Sequence, residues 1–167
     1  MTVYYDFDEV DSFTIGTIGA PGARTFFLQV RHEAAQITVK CEKQQAAAIA
    51  DYLRKVLSDL PPAAAPPQPM QLEVPFESAF VLGPVGLGYD RESDRVLVQL
   101  EEVIEIDEFG DPIDDDADRG KVRLFLTREQ AVAFCAQADV VVSAGRAPCH
   151  WCGQPVNPDG HACPRMN

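Results

Sequence analysis

The chain has 167 residues, 46% apolar and 24% charged, which matches folded globular domains and argues against disorder. That length supports one domain with at most a small appendage. Fourteen basic against 26 acidic residues give a net charge of -12, so the basic surface that neutralises nucleic-acid phosphates is missing and nucleic acid is not an expected partner.

No stretch reaches the roughly 18 apolar residues of a membrane span, so no membrane partner is expected. The opening MTVYYDFDEV lacks the basic-then-apolar order of a secretory signal. The expected location is therefore cytoplasmic, where thiols stay reduced. The five cysteines (41, 135, 149, 152 and 163) then read as core residues, metal ligands or catalysts before disulfides. The phosphate-loop, zinc-protease and nucleophile-elbow signatures are all absent. Only His32, His150 and His161 could serve as imidazole bases.

Taken in chain order, the sequence repeats itself. Phe13-Thr-Ile-Gly16-Thr-Ile-Gly19 returns as Phe80-Val-Leu-Gly83-Pro-Val-Gly86, Phe27–Val30 as Leu97–Leu100, and Lys43–Ile49 as Arg128–Phe134. Collinear matches of this kind indicate a duplicated unit. Each unit, about 11–60 and 78–142, reads strand, strand, strand, helix. Strands are expected at 23–31 and 36–41, and then at 95–100 and 121–126, where β-branched and aromatic residues concentrate. Gly19-Ala-Pro-Gly22 and Asp90-Arg-Glu-Ser93 supply turns. Gly83 and Gly86, like Gly16 and Gly19, read as turns or bulges where a sheet bends.

A helix over about 42–60 carries Ala46, Ile49, Leu53, Val56, Leu57 and Leu60 on one face. The second helix opens at a Thr127/Gln130 capping box and turns Ala131, Phe134, Cys135 and Ala138 inward. Cys41 and Cys135 read as small buried apolar residues, and His32 as a surface residue at a turn. The fold class is α+β: an internally duplicated, mainly antiparallel sheet carrying two helices, with a small C-terminal zinc-binding tail. The body spans 1–144 and the tail 145–167.

Two interruptions stand out. The connector 61–69, PPAAAPPQP, has five prolines in nine residues and should be a semi-rigid spacer. The insertion at 105–119 makes the second unit longer, and residues 101–118 hold ten acids and no bases. Like charges at that density favour a mobile solvent-facing loop, open to docking on a basic partner.

The tail reads Cys149-His-Trp-Cys152, then His161-Ala-Cys163. Zinc takes four tetrahedral nitrogen or sulfur ligands, and a C-x2-C turn aims two thiolates at one ion. Cys149, Cys152, His161 and Cys163 would fill all four places of one structural Zn2+, with Gly153 easing the turn. Apart from Trp151 and Val156 the tail is nearly devoid of apolar residues, so ligation would supply its folding energy. The rival is a redox-active C-x-x-C, which usually opens a helix after a strand.

The spaced glycines, Glu42-Lys43-Gln44 at the first helix start, and the run Ala144-Gly145-Arg146-Ala-Pro-Cys149 through Cys163-Pro-Arg165-Met-Asn167 together resemble an uncharacterised actinobacterial family, domain of unknown function 3090. The resemblance covers essentially the whole chain and implies no established activity. It implies protein partners of phosphatase-like or kinase-like type, from the genes that neighbour the family's own. Two readings stay open. The first is a non-enzymatic binding or adaptor module with a structural zinc tail. The alternative is an enzyme or small-molecule binder whose Arg24 and Arg95, flanking equivalent hairpins, clamp an anionic or phosphorylated ligand in a pseudo-twofold groove between the repeats.

Overall fold

The computed structural model describes residues 4–65, 68, 70–113, 119–144, 149–154, 156 and 160–165. The first unit runs through β2 (Ser12–Ile18), β3 (Thr25–His32), β4 (Ala35–Cys41) and α1 (Lys43–Ser58). The second runs through β5 (Ser78–Asp90), β6 (Arg95–Glu102), β7 (Lys121–Leu126) and α2 (Arg128–Ser143). A further strand, β1 (Tyr4–Phe7), precedes both.

Local chemistry explains these boundaries. Gly19 and Gly22, at φ 108° and 92°, turn the chain from β2 into β3 in a region that L side chains avoid. Both helices start in a capping box, Glu42 with Gln45 and Thr127 with Gln130, so orphan amides at each N-terminus are paired. Ala46, Ile49, Ala50 and Leu53 of α1 are buried, and Phe134 of α2 stacks on Phe13 at 4.6 Å. The helices meet where Arg54 reaches Asp139 at 2.6 Å and the Cys135 thiol donates to the Ala50 carbonyl.

The seven strands form one sheet in the order β1-β7-β6-β5-β4-β3-β2, antiparallel except for the pairs β1–β7 and β4–β5. Because β4 and β5 are parallel, equivalent strands of the two units point the same way. The two helices pack together through equivalent positions of the units, Ala50 against Cys135 and Arg54 against Asp139.

The sheet is strongly curled. A flat one would set its outer strands about 29 Å apart, at roughly 4.8 Å per strand. Yet residues 8–11 alone join β1 to β2, a reach of at most about 18 Å. The same curl brings α2, which leaves β7, onto β2 at the opposite edge, where Gln137 donates to the Ile15 carbonyl at 3.3 Å. Gln130 likewise donates to the Val10 carbonyl at 2.7 Å.

Residues 70–76 lie as a strap over the face of β2–β4 that the helices leave open. The Thr14 hydroxyl donates to the Met70 carbonyl, Arg31 pairs with Glu73 at 2.9 Å, and Phe76 meets Phe27 edge-on at 4.8 Å. In the buried polar row Thr14, Gln29 and Thr38, Thr14 is partnered by Met70, and Gln29 bonds both the Thr38 hydroxyl and the backbone of Glu73. At the start of the proline-rich connector, the Ala64 amide donates to Glu129 at 3.3 Å, which docks it on the opening of α2; residues 66, 67 and 69 lie outside the described set.

The acidic insertion differs from the expected loop over its first half. Residues 105–113 form a small exposed hairpin, with the Asp107 amide donating to the Asp111 carbonyl at 2.8 Å and the Ile113 amide to Glu105 at 2.9 Å. The Asp107 carboxylate accepts from the amides of Phe109 and Asp111, an Asx turn that holds its tip. Residues 114–118 lie outside the described set.

Candidate metal centre

Residues 149–165 have no helix or strand among those described; their order comes from turns. The Cys149 amide donates to the Gln154 carbonyl at 2.6 Å, and the Gly153 amide returns to the Cys149 carbonyl at 2.9 Å. Gly153 closes this loop at φ 75°, a left-handed value that suits glycine. The Trp151 amide points at the Cys149 sulfur, 3.4 Å away. No helix starts at Cys149 or Cys152, so the setting of a redox C-x-x-C is missing here.

The loop brings the four expected ligands together. One ligand atom each from Cys149, Cys152, His161 and Cys163 lies within 4.8 Å of the others. Cys149 Sγ and Cys163 Sγ are 3.8 Å apart, and Cys152 Sγ stands 4.0 Å from His161 Nε2. A tetrahedron with Zn–S bonds of about 2.3 Å has sulfur–sulfur edges of about 3.8 Å, whereas a disulfide needs about 2.05 Å. The four donors lie close enough together to hold a metal ion such as zinc, and all five cysteines are free thiols.

Electrostatics within the loop favour thiolate formation at one position. Backbone amides of Cys152 and Trp151 lower the Cys149 thiol to about 6, with smaller help from the His161 and Cys152 side chains. For Cys152 the Gln154 amide pulls downward, but burial and the neighbouring thiols of Cys149 and Cys163 outweigh it and raise the thiol. Negative charge gathered by four converging donors is what a divalent cation relieves.

The two arginines have separate surroundings. Arg24 donates to the Val141 carbonyl near the end of α2 at 2.8 Å and lies over the Phe26 ring. Arg95 donates to the carbonyls of Ser93 and Asp94. It also lines a cavity of about 370 Å3 together with Asp6, Phe7, Asp8, Glu9 and His32. His32 was expected at a surface turn. It is the last residue of β3, half-buried, edge-on to Phe7 at 5.9 Å. Sequence reading missed this cluster because the curl of the sheet assembles it; the only signal was the density of acids in residues 6–11.

The described residues contain no helix long and apolar enough to cross a membrane. No curated protein and no solved structure matches the chain. Over residues 5–163 it matches the profile of the protein family of unknown function DUF3090, and the chain belongs to that family.

Proposed function

We propose that this is a zinc-binding protein whose tail holds one structural Zn2+ and that the whole acts as a binding or adaptor module. The convergence of Cys149, Cys152, His161 and Cys163 within 4.8 Å carries this reading. Three thiolates and an imidazole fill a tetrahedral shell, leaving no place for the water that a catalytic zinc activates. Bound there, the ion would supply folding energy, on the order of 10 kcal/mol for peptide-scale sites, to a segment that has almost no core of its own. Ligation would also fix Trp151, which is 61% exposed between two ligands and edge-on to His150. Exposed aromatics on a rigid frame are the usual anchors of protein interfaces, and the partner is taken to be a protein.

The test is zinc per chain by elemental analysis, on protein purified without metal-affinity resin or chelator. About one zinc per chain is expected, falling to near zero in Cys152→Ser with Cys163→Ser. Metal-free protein whose Cys149 and Cys152 cycle between dithiol and disulfide would overturn the reading in favour of redox chemistry.

A further inference from the structure

We infer that the cavity lined by Asp6, Phe7, Asp8, Glu9, His32 and Arg95 binds a basic α-amino acid of the lysine or arginine class. Its place is the seam of the curled sheet. Asp6 and Phe7 come from β1, Asp8 and Glu9 from the crossing to β2, His32 from the end of β3 and Arg95 from the start of β6. Both units contribute, and the zinc tail is not involved. At about 370 Å3 it falls within the range of small-ligand pockets, roughly 300–1,000 Å3.

The charges select the guest. Three carboxylates face one guanidinium, so a phosphate drawn to Arg95 would meet Asp6, Asp8 and Glu9 and be repelled. A metal ion is equally ill-suited, because among the described residues only the cysteine–histidine group converges closely enough to hold one. Separated charges of both signs call for a ligand that carries both, with cationic charge in excess. Arg95 spends one nitrogen on the carbonyls of Ser93 and Asp94, and its remaining donors suit the fork of an α-carboxylate. Asp6 stands 3.8 Å from Arg123, which leaves Asp8 and Glu9 as partners for the ligand's ammonium or guanidinium groups.

The remaining walls agree. Phe7, stacked on Tyr5 and edge-on to His32, offers a fixed ring against which a methylene stem and its cationic end can lie. His32 closes one wall, its Nδ1 4.0 Å from the Asp11 carboxylate, which adds to the negative charge around the cavity.

The test is isothermal titration of the full zinc-loaded chain with L-lysine, L-arginine, cadaverine (lysine without its carboxylate) and L-glutamate. Saturable binding of L-lysine or L-arginine is expected, with cadaverine at least tenfold weaker and no binding of L-glutamate. Asp8→Asn with Glu9→Gln, both at exposed positions, should weaken the amino acid at least tenfold. Arg95→Gln should abolish the preference over cadaverine, and Arg95→Lys should restore part of it. The inference is overturned by absence of binding at millimolar concentration, by equal affinity for cadaverine, or by indifference to the Asp8/Glu9 substitutions in a variant with unchanged melting temperature. Zinc content in the same samples reports on the tail separately, so the two readings stand or fall apart.

Discussion

The side-chain amide of Gln29 closes on the backbone of Glu73 from both ends: its nitrogen donates to the Glu73 carbonyl at 3.1 Å and its oxygen accepts from the Glu73 amide at 2.9 Å. A third bond runs to the Thr38 hydroxyl, and Gln29 has no exposed surface. A buried glutamine thus plays the part of a neighbouring strand for the strap. Gln29→Ala would strand the Thr38 hydroxyl and the Glu73 amide and leave the Glu73 carbonyl only the longer bond from Gln36 at 3.5 Å, at about 2–4 kcal/mol. Urea denaturation measures this, and a loss below about 0.5 kcal/mol would show that the strap does not depend on the clasp.

Gly16 and Gly83 occupy matching places in the repeated motif, and both are glycine because something lies too close for a Cβ. At Gly16 the nearest atom would be Leu72 Cγ of the strap, 2.5 Å away; at Gly83 it would be Val103 Cα at 2.5 Å, with further backbone atoms at 2.9 Å. A leucine side chain can rotate aside and a backbone cannot. Overpacking typically costs about 1–3 kcal/mol, so Gly16→Ala should sit low in that range and Gly83→Ala at its top or beyond. Calorimetric melting of the two variants gives the order, and the reverse order would contradict the packing described.

These glycines mark how far the sequence could be read. Two strand–strand–strand–helix units, the capping box at Thr127 and the tail cluster of Cys149, Cys152, His161 and Cys163 were legible, because each is written in residues a few positions apart. The glycines read as turns or bulges, and Gly83 does sit at a register shift between Leu82 and Val85; the close neighbours Leu72 and Val103 that exclude a Cβ at Gly16 and Gly83 could not be read without the fold. The short strand β1 has only Tyr4-Tyr-Asp-Phe7, too brief for periodicity, and its pairing with β7 spans more than a hundred residues. Without β1 the curl is invisible, and with it the cavity at Arg95. The strap likewise follows the proline-rich connector and owes its place to Gln29, Gly16 and Phe27, none of which is local to it.

The tip of the β5–β6 hairpin should respond to pH at both ends of the scale. The Tyr89 hydroxyl donates to the Asp94 carboxylate, and Arg128 pairs with the same group at 3.1 Å. Tyr89 first, then Arg128, hold Asp94 below the usual carboxylate range, while the bond to Asp94 raises the Tyr89 phenol. A depressed carboxyl stabilises the fold above its unfolded pKa, and that contribution is lost as pH falls through the folded value. A raised phenol contributes below its unfolded pKa of about 10, and loses the contribution as pH climbs through the higher folded value. Carboxyl-carbon NMR titration should show Asp94 moving up toward an ordinary aspartate in Tyr89→Phe. An unchanged midpoint would mean that the phenol is not its main partner.

Reactivity should divide the cysteines by place. Burial, with Glu42 adding to it, pushes the Cys41 thiol up to about 12, and burial lifts Cys135 to about 11. At pH 7.5 fewer than about one Cys41 in 10⁴ is then a thiolate, the form that reacts, whereas Cys149, at about 6, is mostly ionised. With zinc bound, iodoacetamide should leave all five cysteines unmodified. After chelation, mass spectrometry should find Cys149 modified first, with Cys41 and Cys135 untouched until denaturant is added. Because the tail contributes no helix or strand among the described residues, far-UV circular dichroism should barely change on chelation while the emission of Trp151, the sole tryptophan, shifts. Early labelling of Cys41 or Cys135 would instead mean that loss of the metal opens the body, and that the tail is part of its core.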